Sequence, residues 1–324
     1  MLAARILGTG SYLPTRRITT EELCANADLG RSAVQLQERT GIAARHWVSD
    51  GETTASMAIV ALKNALENAG LVATDLDRII LANSTGGDVL IPATVNSVIC
   101  GMGLDGRTDG FDLNNACTGF LSALDVASRC VATGYGTLAI VAVETLSRFL
   151  SPTNPRPYAV LADAAAAMIV GPAREGEGFI AAYFGNLGAE LGSVAMSHPG
   201  WTEGAPLVQF GGSNDHIGQL AIHALEKASA RVLTGTGLTV GDVDWVVPHQ
   251  PNGAMLDKIA AHFAIAPERF VRRVDEVGSV GTVTIPLSFD ALWRSNRVQP
   301  GDRILFMGVG AGVSYGALLY QVAG

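Results

Sequence analysis

GLVATDLDRII, residues 70–80, returns later in the chain as GLTVGDVDWVV, residues 237–247. Both stretches read as a helix-ending glycine, an Asp-x-Asp turn and an apolar run of strand length. A second echo lies at nearly the same spacing, where GTLAIVAV from Gly136 parallels GDRILFMG from Gly301. The offsets are 167 and 165 residues, and self-similarity at a fixed period marks a duplicated unit. One such echo arises easily by chance. Two in register predict two similar halves, 1–172 and 173–324, meeting at the polar stretch PAREGEG of residues 172–178.

Around the echoes, short apolar runs alternate with longer amphipathic segments, the pattern of an α/β protein with buried strands. Strands are predicted at 5–8, 78–82, 110–113, 138–143, 166–170, 180–184, 244–247, 303–307 and 314–320, and helices at 54–69, 93–101, 117–132, 217–234, 253–263 and 283–295. With 324 residues, 48 % hydrophobic and 16 % charged, the chain has the composition to bury a large core.

The net charge of −8 and the absence of any Lys/Arg cluster exclude nucleic acid as the expected partner. No window holds eighteen uninterrupted apolar residues, and MLAARILGTG lacks the apolar core and cleavage site of a leader, so a soluble, cytoplasmic chain without a membrane partner is expected. Cys24, Cys100, Cys117 and Cys130 form no CxxC pair, which suits a reducing compartment and offers no metal or disulfide framework.

Cys117, in DLNNACTGF (112–120), sits where a predicted strand gives way to a predicted helix. At a helix N-terminus the unpaired amides favour a thiolate. For an arbitrary cysteine the better reading is a small buried hydrophobe, and Cys24, Cys100 and Cys130 keep it. A nucleophilic cysteine wants a histidine. Of six, His249 alone follows a buried run, DWVVP, and opens HQPNGAM, at the carboxyl end of a strand where open α/β sheets place ligand sites. The third feature is GVGAGVSYGA (308–317), whose glycines let backbone amides converge on an oxyanion. A strand-like run follows it, which disfavours a dinucleotide loop, and no HExxH, Walker or EF-hand pattern occurs, so neither metal nor cofactor is expected.

Six motifs in order, ILGTGSYLP, ERTGIAARH, NNACTGF, VPHQPN, GSVGTVTIPLS and GAGVSYGAL, resemble the β-ketoacyl-acyl carrier protein synthase III family of the thiolase superfamily. The resemblance spans the whole chain. It implies a thiolase-like five-layered αβαβα fold of two similar halves and a homodimer. It also implies that Cys117 accepts an acyl group from an acyl-CoA or acyl carrier protein thioester, and that His249 hydrogen-bonds a malonyl thioester carbonyl. The amides of Cys117 and Ala311 would form the oxyanion hole, and Arg39, Thr40, Leu90, Ile91 and Asn252 would contact substrate, with Leu90, Ile91 and Pro92 at the tunnel mouth.

Four positions depart from the family pattern. The family's catalytic asparagine falls at Ser279, which offers one O–H donor where asparagine offers an NH2. Gln35 replaces the tryptophan that stacks on coenzyme A, Ala254 a basic residue that meets the carrier protein, and ADAAA (162–166) the glycine-rich GDGAG. Two functions are expected. The first is decarboxylative condensation with a malonyl thioester, in a specialised polyketide or secondary-metabolite pathway. The second is acyl transfer from Cys117 to a hydroxyl, amine or thiol, with His249 as general base. An idle subunit and a cysteine protease are weaker: retention of both Cys117 and His249 opposes the one, and only a Cys–His pair supports the other.

Overall fold

The computed structural model describes residues 4–198, 200 and 207–324. In chain order come β1 (Ala4–Tyr12), β2 (Arg16–Thr19), α1 (Thr20–Asn26), α2 (Ala33–Thr40), β3 (Ala44–Trp47), α3 (Thr54–Ala69), β4 (Arg78–Ala82), α4 (Thr94–Gly101), β5 (Asp109–Leu113), α5 (Gly119–Ala132), β6 (Leu138–Thr145), α6 (Pro155–Tyr158) and β7 (Asp163–Pro172). Then follow β8 (Gly178–Asn186), β9 (Ala195–Met196), β10 (Val208–Gln209), α7 (Asn214–Thr234), β11 (Trp245–Pro248), α8 (Gly253–His262), α9 (Val274–Val277), α10 (Thr284–Arg294), β12 (Arg303–Gly310) and β13 (Ser314–Gln321).

One sheet runs β1-β7-β6-β4-β5 and another β11-β12-β13-β8, so the chain leaves the first sheet after Pro172 and enters the second at Gly178. The echoes occupy equivalent places in the two sheets. Gly70 and Gly237 both adopt left-handed φ, 67° and 72°. Beyond them Arg78 pairs in parallel with Leu138, and Trp245 in parallel with Ile304. The second aspartate of each Asp-x-Asp fastens this pairing: Asp77 accepts from the N–H groups of Gly136 and Thr137 at 2.9 and 3.0 Å, and Asp244 from that of Arg303 at 2.8 Å.

Three apolar clusters make the layers. Met57, Leu62, Ile79 and Val141 join α3 and α4 to the outer face of the first sheet. Phe120, Leu124 and Phe289 of α5 and α10 fill the space between the sheets against Ile80, Ile140 and Phe306. Leu225 and Leu256 of α7 and α8 cover the second sheet at Leu305 and Leu319. The result is a thiolase-like αβαβα stack. The five residues of ADAAA explain themselves here. They run into β7, fully buried, with α3 and α10 both packed against that strand, so small side chains allow close helix–sheet approach.

The predicted elements are all present, with β7 longer than its apolar run and α5 starting at Gly119 rather than Cys117. The β2–β3 pair, α1, α2 and the shortest elements lie outside the predicted set. No described helix is long and apolar enough to cross a membrane.

Candidate active site

Between β5 and α5 the chain makes a strained turn. Ala116 has φ 45°, a conformation that a residue with a Cβ holds only where its surroundings insist. Its N–H donates to Asn114 Oδ1 (3.0 Å), Asn115 Nδ2 donates to Ser122 Oγ (2.9 Å), and Thr118 Oγ1 lies 2.8 Å from both Asn115 O and Ser314 Oγ. The turn presses Cys117 against the end of β12. A Cβ on Gly310 would come within 2.9 Å of Cys117 N and 3.2 Å of Cys117 Cβ, so only glycine lets the two meet. Gly312, with φ 116°, completes the reversal into β13.

Burial, and after it the charge of Glu144, push the Cys117 thiol up to about 12, while hydrogen bonds from the N–H groups of Ala311 and of Cys117 itself act to lower it. Burial thus works against the thiolate expected from a helix terminus: helix α5 begins two residues too late, and desolvation outweighs the amides.

His249 ends the β11 pairing, its N–H donating to Met307 O at 2.7 Å. Gln250 behind it accepts from the N–H groups of Arg273 and Val274 and donates to Val271 O and Ser288 Oγ, which locks the backbone. His249 Nδ1 lies 2.7 Å from Thr284 Oγ1, and Thr284 Oγ1 lies 3.1 Å from Gly281 O. A hydroxyl has one proton, so both contacts carry a hydrogen only if Nδ1–H donates to Thr284 and Thr284 donates to Gly281 O. Pro251 has no N–H to offer the ring. In this arrangement Nε2 keeps its lone pair. Burial depresses the imidazole to about 4, so the ring is neutral at pH 7.

A cavity of about 1000 Å3 joins these groups. Cys117, His249, Ser279 and Ala311 line it together with Arg39, Thr40 and Asn252. Asn252 caps α8, its Oδ1 accepting from Met255 N at 2.9 Å. Arg31, Arg156 and Lys258 add positive charge to the wall. At one rim the end of α2 meets the start of α8: a Cβ on Gly41 (φ 68°) would lie 2.7 Å from Gly253 Cα.

The family pattern described as 3-oxoacyl-[acyl-carrier-protein (ACP)] synthase III matches residues 111–188, and that described as its C-terminal part matches residues 233–322. A β-ketoacyl-[acyl-carrier-protein] synthase III of Hyphomonas neptunium is 35 % identical over 98 % of both chains. The chain belongs to the synthase III family. It is a condensing enzyme of that kind, an acyltransferase. The synthase III of Pseudomonas aeruginosa PAO1 superposes with a TM-score of 0.90 over 99 % of each chain at 29 % identity. The priming β-ketosynthase of the R1128 polyketide pathway gives 0.90, also at 29 % identity, over 99 % of this chain and 96 % of that one.

Within this synthase III chain, two of the expected substrate residues lie elsewhere. Leu90 and Ile91 are 78 % and 86 % exposed and form no part of the cavity wall. They sit on the loop between β4 and α4, whose Ser84 does line the cavity. Gln35 is likewise outside the wall, its Oε1 accepting from Ser32 N in a capping box at the start of α2. Conversely, Ser84, Thr284 and Glu144 belong to the site or its backing, and no local pattern announced them. Each acts through a partner distant in sequence.

Proposed function

We propose that Cys117 takes an acyl group from an acyl-coenzyme A or acyl carrier protein thioester and passes it to a malonyl thioester with loss of carbon dioxide. The observation that carries this reading is that the Cys117 thiol and the backbone of Cys117 and Ala311 meet on the wall of one roomy cavity, where Gly310 lets them approach. Sγ attacks the thioester carbonyl carbon and its proton ends on the departing thiol. The oxyanion meets the two amides, each worth about 3 kcal/mol of barrier. In the second half, the malonyl carboxylate departs as CO2, the enolate carbon attacks the acyl-cysteine carbonyl, and the bond from that carbon to Sγ breaks, leaving a Cys117 thiolate that takes up one proton from solvent. Arg31, Arg39, Arg156 and Lys258 support a phosphate-bearing donor, and the name β-ketoacyl-[acyl-carrier-protein] synthase III of the relative supports condensation to a β-ketoacyl product. The exposed apolar run Val89, Leu90 and Ile91 supports a homodimer, and the unpaired cysteines a cytoplasmic setting.

A second reading is favoured by Ser279 and by the Thr284–His249 contact: acyl transfer to a hydroxyl, amine or thiol. Enolate stabilisation needs donors, whereas an Nε2 lone pair is suited to removing a proton from such an acceptor. Loading the protein with an acyl thioester and adding labelled malonyl thioester separates the two. CO2 release with chain extension supports condensation; transfer to an alcohol or amine without CO2 supports the second reading. If no thioester leaves an adduct on Cys117, both fail.

A further inference from the structure

Behind the cavity wall lies a carboxyl group that neither half-reaction uses. Glu144 on β6 is completely buried, at 0 % exposure. Its Oε1 accepts from Ser84 Oγ at 2.5 Å and, at the long distance of 3.4 Å, from Thr282 N. Its Oε2 is buried with no hydrogen-bond partner among the described residues. Ser84 and Gly281 line the same cavity as Cys117. A Cβ on Gly281 would stand 3.0 Å from Oε1, so bare backbone on one side and the Ser84 hydroxyl on the other separate the carboxyl from the cavity.

A purely structural buried carboxylate is ordinarily given a cation or a full set of donors. Glu144 has neither. The titratable groups that act on it or with it are Asp163 on β7 and Cys117, both acidic.

We infer that Glu144, acting through Ser84, receives the Cys117 proton during acylation and returns it to the leaving thiol. As Sγ bonds to the thioester carbon, the S–H proton passes to Ser84 Oγ, directly or through one water, while the Ser84 proton moves to Glu144 Oε1. When the intermediate collapses, the bond from carbon to the leaving sulfur breaks and the proton returns along the same path. Glu144 is again a carboxylate, Ser84 a hydroxyl, and the products are acyl-Cys117 and a neutral thiol. Ser84 shares the cavity wall with Cys117, and Glu144 is its positioning and proton-holding partner. Burial raises the Glu144 carboxyl to about 7 and depresses His249 to about 4, so Glu144 is the better matched of the two to hold the Cys117 proton near neutrality. The inference rests on the acyl-enzyme reading and holds for either acceptor.

The test compares wild type, Glu144→Gln and Ser84→Ala in the full chain. Acylation of Cys117 by straight-chain acyl-coenzyme A thioesters is followed by intact mass in single turnover across pH, and thiol alkylation by iodoacetamide is followed beside it. Glu144→Gln is expected to slow acylation about 100-fold at pH 7 and to erase the inflection near pH 7. Alkylation, which needs only the thiolate, is expected to hold or quicken once the negative neighbour is gone. Ser84→Ala is expected to slow acylation about tenfold or more with alkylation intact. If Glu144→Gln does not fold, Ser84→Ala decides. Acylation within about twofold of wild type with the inflection retained overturns the inference, as does a parallel fall of acylation and alkylation. A wild-type protein that forms no adduct overturns the acyl-enzyme reading as well.

Discussion

Ser279 is pinned to Val160 by its backbone alone: its N–H donates to Val160 O at 2.8 Å, and its carbonyl accepts from Ala162 N at 2.9 Å. Its hydroxyl makes no hydrogen bond to the protein among the described residues and is free toward the cavity. The position is thus set whatever side chain occupies it. Ser279→Asn is expected to raise malonyl decarboxylation about tenfold or more by restoring an NH2 donor. The measurement is labelled CO2 from malonyl thioester, and an unchanged rate would show that a missing donor is not what limits the step.

The tautomer of His249 is directly observable. Nitrogen-15 NMR of the imidazole is expected to find the proton on Nδ1 and a neutral ring at pH 7, with the Nδ1–H signal lost or broadened in Thr284→Val. A proton on Nε2 would make His249 a donor and favour condensation. His249→Ala is expected to slow deacylation by about 100-fold or more, while the acyl adduct on Cys117 still forms.

Two buried groups set opposite pH dependences of stability. His249 titrates near 6.5 unfolded and about 4 folded, so the unfolded chain takes the proton first and stability is lost as pH falls through that window. Glu144 titrates near 4.5 unfolded and about 7 folded, so its contribution is full below 4.5 and fades as pH rises to 7. Urea midpoints should show His249→Gln less acid-sensitive than wild type between pH 4 and 6.5, and Glu144→Gln more acid-sensitive between pH 4.5 and 7.

Gly310→Ala places a methyl group against Cys117 N and Cβ. The expected cost is about 1–3 kcal/mol of stability, with acylation of Cys117 falling further than stability alone explains, because the displaced backbone carries the Ala311 amide. Thermal unfolding beside single-turnover acylation checks both halves of this expectation.

The architecture was legible where local chemistry repeats. A left-handed glycine, an Asp-x-Asp turn and a strand announce themselves twice because each is a short-range device, and the structure puts the two copies at matching edges of parallel strand pairs. Helix α5 was placed two residues early because the positive φ at Ala116 leaves no trace in composition. The β2 strand, RRIT, and helix α2, which buries only Leu36 and Thr40, carry too little apolar signal to stand out. Cys117 and His249 were readable from their neighbours in the chain. Ser84 and Glu144 are 60 positions apart and His249 and Thr284 are 35 apart, so their partnerships exist only once the sheets assemble. Leu90 and Ile91, expected at the tunnel mouth from the family pattern, are exposed on the loop between β4 and α4 and outside the cavity wall.

The contact between Gly41 and Gly253 joins the end of α2 to the start of α8 with main chain alone. Drift of the surface sequence leaves such a seam untouched, because no side chain takes part in it. A single added methyl at either glycine would force the two helix ends apart and carry Thr40 and Asn252, which line the cavity beside them, with them.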